Sequence, residues 1–149
     1  MDLEVGQVLS LIARFDNTGY TADVPHPYLI LKIIDDINAI EVGQLHSLKG
    51  KGFESIRKSN KVIFNTHPDE TVIDEDSFIQ KDRTYLIENY DELKRFRRQL
   101  DKLSKTKLEG VIRDYNEYHK KNRIDEKYQV YMDKIEIERL NSGRKGYSY

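Results

Sequence analysis

In the first part of the chain apolar residues stand in short runs separated by turn formers, whereas beyond Asn89 they recur every three or four residues. The two spacings predict strands first and helices later. "GQVLSLIARF" (6–15) reads as a first strand, and "DNTGYTADVPHP", with its glycine and two prolines, as a long connection. "YLILKII" (28–34) is a continuous apolar run bounded by Pro27 and by Asp35 and Asp36, the pattern of a strand buried on both faces. "NAIEVGQL" (38–45) is the next strand, with "DDIN" as the hairpin turn between the two. "KVIFNTH" (61–67), "ETVIDEDSFIQ" (70–80, broken near Asp74) and "TYLIE" (84–88) extend the series. Short sequential strands of this kind predict a small antiparallel barrel or a strongly coiled sheet.

Leu93, Phe96, Leu100 and Leu103 then predict an amphipathic helix, with Arg95, Arg97, Arg98 and Lys102 on its other faces. Thr106 and Glu109 have the spacing of a capping box, and Leu108, Val111, Ile112, Tyr115 and Tyr118 continue a second helix from it. A third amphipathic segment, Asp125 to Leu140, carries Tyr128, Tyr131, Met132 and Ile135. The expected fold is α+β in one domain over 1–149: a β-barrel core at 5–88, C-terminal helices packed on it at 90–141, and a frayed tail at 142–149.

Composition narrows the chemistry. The chain has no cysteine, which excludes disulfides, thiolate catalysis and thiolate metal sites and fits a reducing compartment. No apolar run approaches the length that spans a bilayer, and "MDLEVGQVL" lacks the regions of a signal peptide, so a soluble, cytoplasmic protein without a membrane partner is expected. The net charge of -1 hides a segregation. Five bases and one acid lie between Lys49 and Lys61, and seven bases and one acid between Lys94 and Lys107. Nine acids against two bases separate them, from Asp69 to Glu92. Brought together, the two basic segments would make a cationic surface for a phosphate backbone; taken singly, each suits a solvated face.

Motifs exclude more than they assign. There is no phosphate-binding glycine loop, GxSxG, HExxH or dinucleotide fingerprint. The four histidines, at 26, 46, 67 and 119, lack local metal-ligand spacing, and neither a metal nor any other cofactor is expected. Asp74, Glu75 and Asp76 could hold a divalent ion, although a solvated turn accounts for them more simply. His67 beside Pro68 reads as a turn residue, and His119 as a cationic ring at the negative end of a helix.

His26 and His46 differ because each stands at a strand boundary. If the strands on either side of "DDIN" pair, the two histidines begin and end that hairpin and share one end of the sheet. Lys49, Lys51 and the amides around Gly50 and Gly52 would lie within reach of an anion there. Two imidazoles and an ammonium around a phosphate suit RNA cleavage: one takes the proton of the 2′-hydroxyl, another protonates the departing 5′-oxygen, and the cation stabilises the phosphorane. Spacing alone equally allows surface or satisfied core histidines.

The blocks "HPYLILKI", "AIEVGQLHSLKGK", "KVIF", "DSFIQKDRTYLIENYDEL" and "LEGVIRDYNEY", in that order, resemble the MazF/PemK-like toxin fold over roughly residues 5 to 119. That family consists of small antiparallel SH3-like barrels with C-terminal helices that cleave single-stranded RNA without a metal. Relatives usually begin the first block Arg-Pro and end the second Leu-Thr-Ser; here they read His26-Pro27 and Leu45-His46-Ser47. "HSLKGK" is more similar to the RNA-inhibited branch of type III toxin-antitoxin systems (ToxN-, AbiQ- and CptN-like), with Ser47 and Lys49 matching and His46 replacing a threonine. His26 stands where that branch has a lysine after a proline.

The resemblance implies an endoribonuclease toxin leaving a 2′,3′-cyclic phosphate and a 5′-hydroxyl. His26 and His46 would transfer protons, Ser47 would orient the scissile phosphate and Lys49 would meet transition-state charge. Lys51, Arg57, Lys58 and Lys61 would bind flanking phosphates, with Tyr20 and Phe53 as stacking platforms. The antitoxin would be a small folded RNA held in a higher-order assembly, with Lys94, Arg97 and Arg98 among its contacts. A type II, MazF-like toxin with a protein antitoxin, a non-catalytic nucleic-acid-binding barrel and a protein-interaction module are the competing readings.

Overall fold

The computed structural model describes residues 1–52, 56–65 and 70–147. Its centre is the hairpin expected around "DDIN". Strands β2 (His26–Ile34) and β3 (Ala39–Ser47) pair antiparallel and are joined by the 3-10 turn Asp35–Ile37. Asn38 closes the turn in the left-handed region (φ 50°), and its N–H donates to the Asp35 carbonyl. Asn tolerates that conformation better than most residues, which is why the turn ends there.

The remaining strands are β1 (Val8–Leu11), β4 (Asn60–Ile63), β5 (Ser77–Gln80), β6 (Thr84–Glu88) and β7 (Gln129–Met132). They form one seven-stranded sheet, antiparallel except for the parallel pair β6 and β7. β3 is its axis. One edge of β3 pairs with β2, while the other pairs first with β6 along Ala39–Val42 and then with β5 along Leu45–Ser47. The change of partner falls beside Gly43, where a Cβ would stand 3.3 Å from Leu31 and 3.5 Å from Ile79, so a side chain would crowd the bend. This α+β arrangement is compatible with a small barrel-like fold.

Two apolar clusters lie on the two faces, as period-2 alternation requires. Leu9, Leu11, Tyr28, Ile30, Val42 and Tyr85 belong to one, together with Phe96 and Ile137. Val8, Leu29, Leu31, Leu45 and Ile79 belong to the other, against Val111 and Tyr115 of helix α1 (Lys105–Lys121). Tyr28 to Leu31 are therefore buried whichever way they point.

The C-terminal third departs from the helical expectation. Residues 93–103 form no α-helix: a 3-10 segment, Asp91–Phe96, buries Leu93 and Phe96, and the chain then runs extended along β1. Arg97 bridges Leu9, the Arg98 N–H donates to the Val8 carbonyl (3.0 Å) and the Leu103 N–H to the Gly6 carbonyl (2.9 Å). Covering an otherwise unpaired strand edge outweighs the helical spacing. α1 starts at Lys105, capped by the backbone of Ser104 rather than by a box at Thr106. Glu70 accepts the Ser104 N–H (3.1 Å) and pairs with Lys107 (2.7 Å), a carboxylate at the positive end of the helix.

Asp125 to Leu140 divides into a 3-10 turn at Glu126–Tyr128, strand β7 and helix α2 (Lys134–Leu140). Val130 and Met132 stand opposite Tyr85 and Ile87 in the core, so strand pairing overrides the three- and four-residue spacing. Only Ser77–Gln80 of the expected strand 70–80 is extended. The tail is docked through Tyr147: Arg144 donates to the Ser10 carbonyl (2.9 Å) and the Tyr147 N–H to the Arg95 carbonyl (2.8 Å).

Candidate functional site

Strand register brings the two histidines together. Tyr28 stands opposite Gln44, and continuing that register by two residues along each strand sets His26 opposite His46. Alternation then directs His26, Tyr28, Gln44 and His46 to the same face. His46 stacks on Phe78, its cross-strand neighbour on β5, with ring centroids 5.1 Å apart. His26 meets the ring of Phe15 edge-on at 5.7 Å, and Phe15 stacks with Tyr20 at 5.3 Å. Tyr20 is 66% exposed, which leaves its outer face open to a ligand ring. Tyr28 packs against Tyr85 at 5.8 Å.

Cations gather at this end of the sheet, around a basin between the two histidines. His46 titrates at about 4, below an ordinary histidine, because burial disfavours its cationic form; the nearby charges of Lys51, Arg83 and His26 act in the same direction and Gln80 against it. His46 is thus neutral at pH 7. Its Nε2 atom, the Tyr28 hydroxyl and Arg83 Nε are buried without a hydrogen-bond partner among the described residues. Asp82 Oδ1, in a long ion pair with Arg83 Nε (4.0 Å), has no hydrogen-bond partner among the described residues either. Leaving a buried polar group unsatisfied costs about 1–3 kcal/mol, so each of these atoms calls for a partner such as a water or a ligand. Arg83 is further held by the Tyr128 ring, 4.1 Å from its guanidinium carbon. Burial is the main cause of the raised Tyr28 and Tyr85 pKa values, and the Tyr85 hydroxyl donates to the Phe15 carbonyl (3.1 Å).

Not every expected residue joins this group. Ser47, next along β3, alternates to the opposite side from His46, and its hydroxyl accepts the Lys49 N–H (3.2 Å), so it shapes the loop rather than facing the basin. Lys49 is exposed. Lys51 is the lysine that reaches the histidine, with its Nζ 5.9 Å from the Phe78 ring centre. Arg57 and Lys58 are exposed, Lys58 lining a separate pocket against α1. Lys61 is paired with Asp114 at 2.8 Å. Phe53 and His67 lie outside the described residues.

The second basic segment is largely committed within the fold. Arg97 is buried, donating to the carbonyls of Met1 (3.1 Å) and Asp2 (3.0 Å), which removes it from any RNA surface. Arg98 approaches Asp74 (3.8 Å), Arg95 pairs with Glu138 (2.8 Å) and Lys102 with Glu4 (3.2 Å). Lys94 is exposed beside the chain's N-terminal residues. His119 is held below its ordinary pKa, chiefly by burial, and its Nε2 meets the Lys81 carbonyl (2.8 Å), so it is not the cation expected at a helix end. Among the described residues, no three His, Asp or Glu side chains are grouped to hold a metal ion, and no helix is long and apolar enough to cross a membrane.

Arg83, Tyr28, Phe15 and Gln80 are the members that sequence reasoning missed. Tyr28 is hidden inside an apolar run, and Arg83 inside the acidic stretch between the two basic segments. Compared with family models and with curated proteins, the chain matches none.

Proposed function

We propose that this chain is the toxin of a bacterial toxin-antitoxin system, a metal-independent endoribonuclease on a small SH3-like, MazF/PemK-like barrel. The observation that carries the reading is a pair of histidines at one sheet end, beside the cations Lys51 and Arg83 and four buried polar atoms, one of them on Asp82, that have no hydrogen-bond partner among the described residues. The substrate is single-stranded RNA, because Lys51 and Arg83 beside His46 suit a phosphodiester and Tyr20 offers an open ring to an unstacked base.

In this reading His46, neutral at physiological pH, accepts the proton of the 2′-hydroxyl at Nε2 while the 2′-oxygen bonds to phosphorus. His26 gives a proton to the 5′-oxygen as its bond to phosphorus breaks, leaving a 2′,3′-cyclic phosphate and a 5′-hydroxyl. Lys51 and Arg83 meet the charge that grows on the phosphorane oxygens. A pKa of about 4 makes His46 a weak base in the free protein; the bound phosphodiester charge raises it toward the working pH. Because Nε2 is covered, substrate binding must turn the ring or the side chains around it.

The same basin suits an anionic inhibitor, and the antitoxin in this reading is a small folded RNA that occupies it. Incubating the purified protein with a defined RNA, with and without EDTA, and mapping new ends tests the proposal. Discrete 5′-hydroxyl termini that survive EDTA and vanish in His46→Ala are expected. RNA that is bound but left intact would instead identify a non-catalytic nucleic-acid-binding barrel.

A further inference from the structure

A second pocket, of about 260 Å³, lies between the β5–β6 turn and the C-terminal half of α1, on the opposite side of β5 from the histidine basin. Phe78 and Gln80 of β5 face the basin, so the next position in the alternation, Lys81, faces α1. Two residues further on, Arg83 returns to the basin. The turn is therefore a ridge with one cation on each flank. It is also fixed in place: the Lys81 N–H donates to the Ser59 carbonyl (2.6 Å), and the Lys81 carbonyl meets His119 Nε2 (2.8 Å).

The pocket's chemistry is that of a nucleotide. Tyr118 supplies an aromatic face, over which the Lys81 ammonium lies at 5.3 Å from the ring centre. Asn122 supplies an amide whose Nδ2 donates to the Tyr118 carbonyl (3.1 Å) and which keeps a second N–H and its Oδ1 for a base edge. The acids present are already matched, Asp114 by Lys61 (2.8 Å) and Glu117 by Lys121 (3.7 Å). Lys58 and Lys81 remain as surplus positive charge in the lining.

We infer that this pocket is a subsite for a nucleotide flanking the scissile phosphate, reached by RNA that crosses the β5–β6 ridge. The inference rests on the endoribonuclease reading and extends it from the cut phosphate to a neighbouring base. The base stacks on Tyr118, taking the place of the Lys81 ammonium, which moves with Lys58 onto the adjoining phosphate. Bases stack on aromatic rings with little regard to identity, so length is recognised here before sequence.

The test uses the full chain and RNA made uncleavable by 2′-deoxy substitution, with binding of a dimer compared against binding of a hexamer. The wild-type protein should bind the hexamer at least tenfold more tightly. Tyr118→Ala should reduce that advantage by roughly fivefold or more, as expected for the loss of one stacked base. Tyr118→Phe should keep it, and thermal melting of both variants separates a lost ring from a damaged fold. An unchanged length advantage in Tyr118→Ala would overturn the subsite. Intact cleavable RNA in the presence of wild-type protein would overturn the nuclease reading and leave the binding comparison standing by itself.

Discussion

His46 and His119 are both held below the ordinary histidine pKa, and burial is the leading cause in each case. Their surroundings are otherwise opposed. On the α1 side of the sheet, His119 bonds the Lys81 carbonyl and lies on the Tyr115 ring (centroids 4.1 Å apart), and the Tyr115 hydroxyl donates to the buried carboxylate of Glu41. Across β3, His46 Nε2 has no partner among the described residues, and the Tyr28 hydroxyl and Arg83 Nε on the same side have none either. The first cluster is satisfied, its Glu41 carboxylate met by Tyr115, and built to hold a helix on a sheet. The second has unmet hydrogen bonds, and the charges acting on its histidine are cationic, with the Asp82 carboxylate beside Arg83. A perturbed pKa does not separate them; unmet bonding capacity does.

The comparison is broken most directly by removing the histidines of the basin. Alanine at His26 or His46 should lower the rate of RNA cleavage by about 10²–10⁴-fold, as loss of a proton-transfer group does, while melting temperature changes little. Wild-type rates in both variants would reduce the basin to a packing feature. Arg83→Met should slow turnover by about 10²–10³-fold at a small cost in stability, because it gives up the guanidinium's contact with the Tyr128 ring and removes an Nε that has no hydrogen-bond partner among the described residues. A clear loss of stability in urea titrations would mean that Arg83 is structural.

Acid should sharpen the contrast through stability. Unfolded, His46 titrates near 6.5, and folded at about 4, so between those values the unfolded chain binds a proton that the folded chain does not. The contribution is present in full above pH 6.5 and is lost as pH falls toward 4, by up to about 3 kcal/mol. His46→Gln should flatten the fall in denaturation midpoint between pH 7 and 4.5. On the α1 side, Tyr115→Phe leaves the Glu41 carboxylate without its donor and should cost about 1–3 kcal/mol, with cleavage per folded molecule unchanged. The smallest effects belong to the loop. Lys51→Ala should weaken RNA binding several-fold in low salt, and Lys49→Ala by less than about twofold, reflecting which ammonium His46 senses. Equal losses would return Lys49 to the site.

That His26 and His46 share one end of the sheet is legible in the sequence. The turn at "DDIN" sets that much, but counted from the turn His26 would stand opposite Ser47; a bulge between Ile30 and Lys32 shifts the register by one and puts it opposite His46, on the same face. Arg83 is not legible by that route. It lies on a turn between β5 and β6, and it enters the basin only because β3 changes partners from β6 to β5 beside Gly43. The basic run from Lys94 misleads for a related reason. Its spacing is helical, but the outer edge of β1 needs backbone partners, and the charges the run carries find carbonyls and carboxylates nearby.

The sequence by itself determined the strands of the front half, the hairpin, α1 and the common end of the sheet at which two histidines sit. These follow from local turn chemistry and from alternation, which act between neighbours in the chain. The tertiary structure alone decided that Gln129–Met132 is a strand, that Arg97 is buried, that Ser47 faces away from His46, and that Arg83 and Tyr28 join Lys51 in the basin. Each of those depends on which segment fills an open sheet edge or faces a distant turn, and such long-range choices leave no periodic trace in the residues that make them.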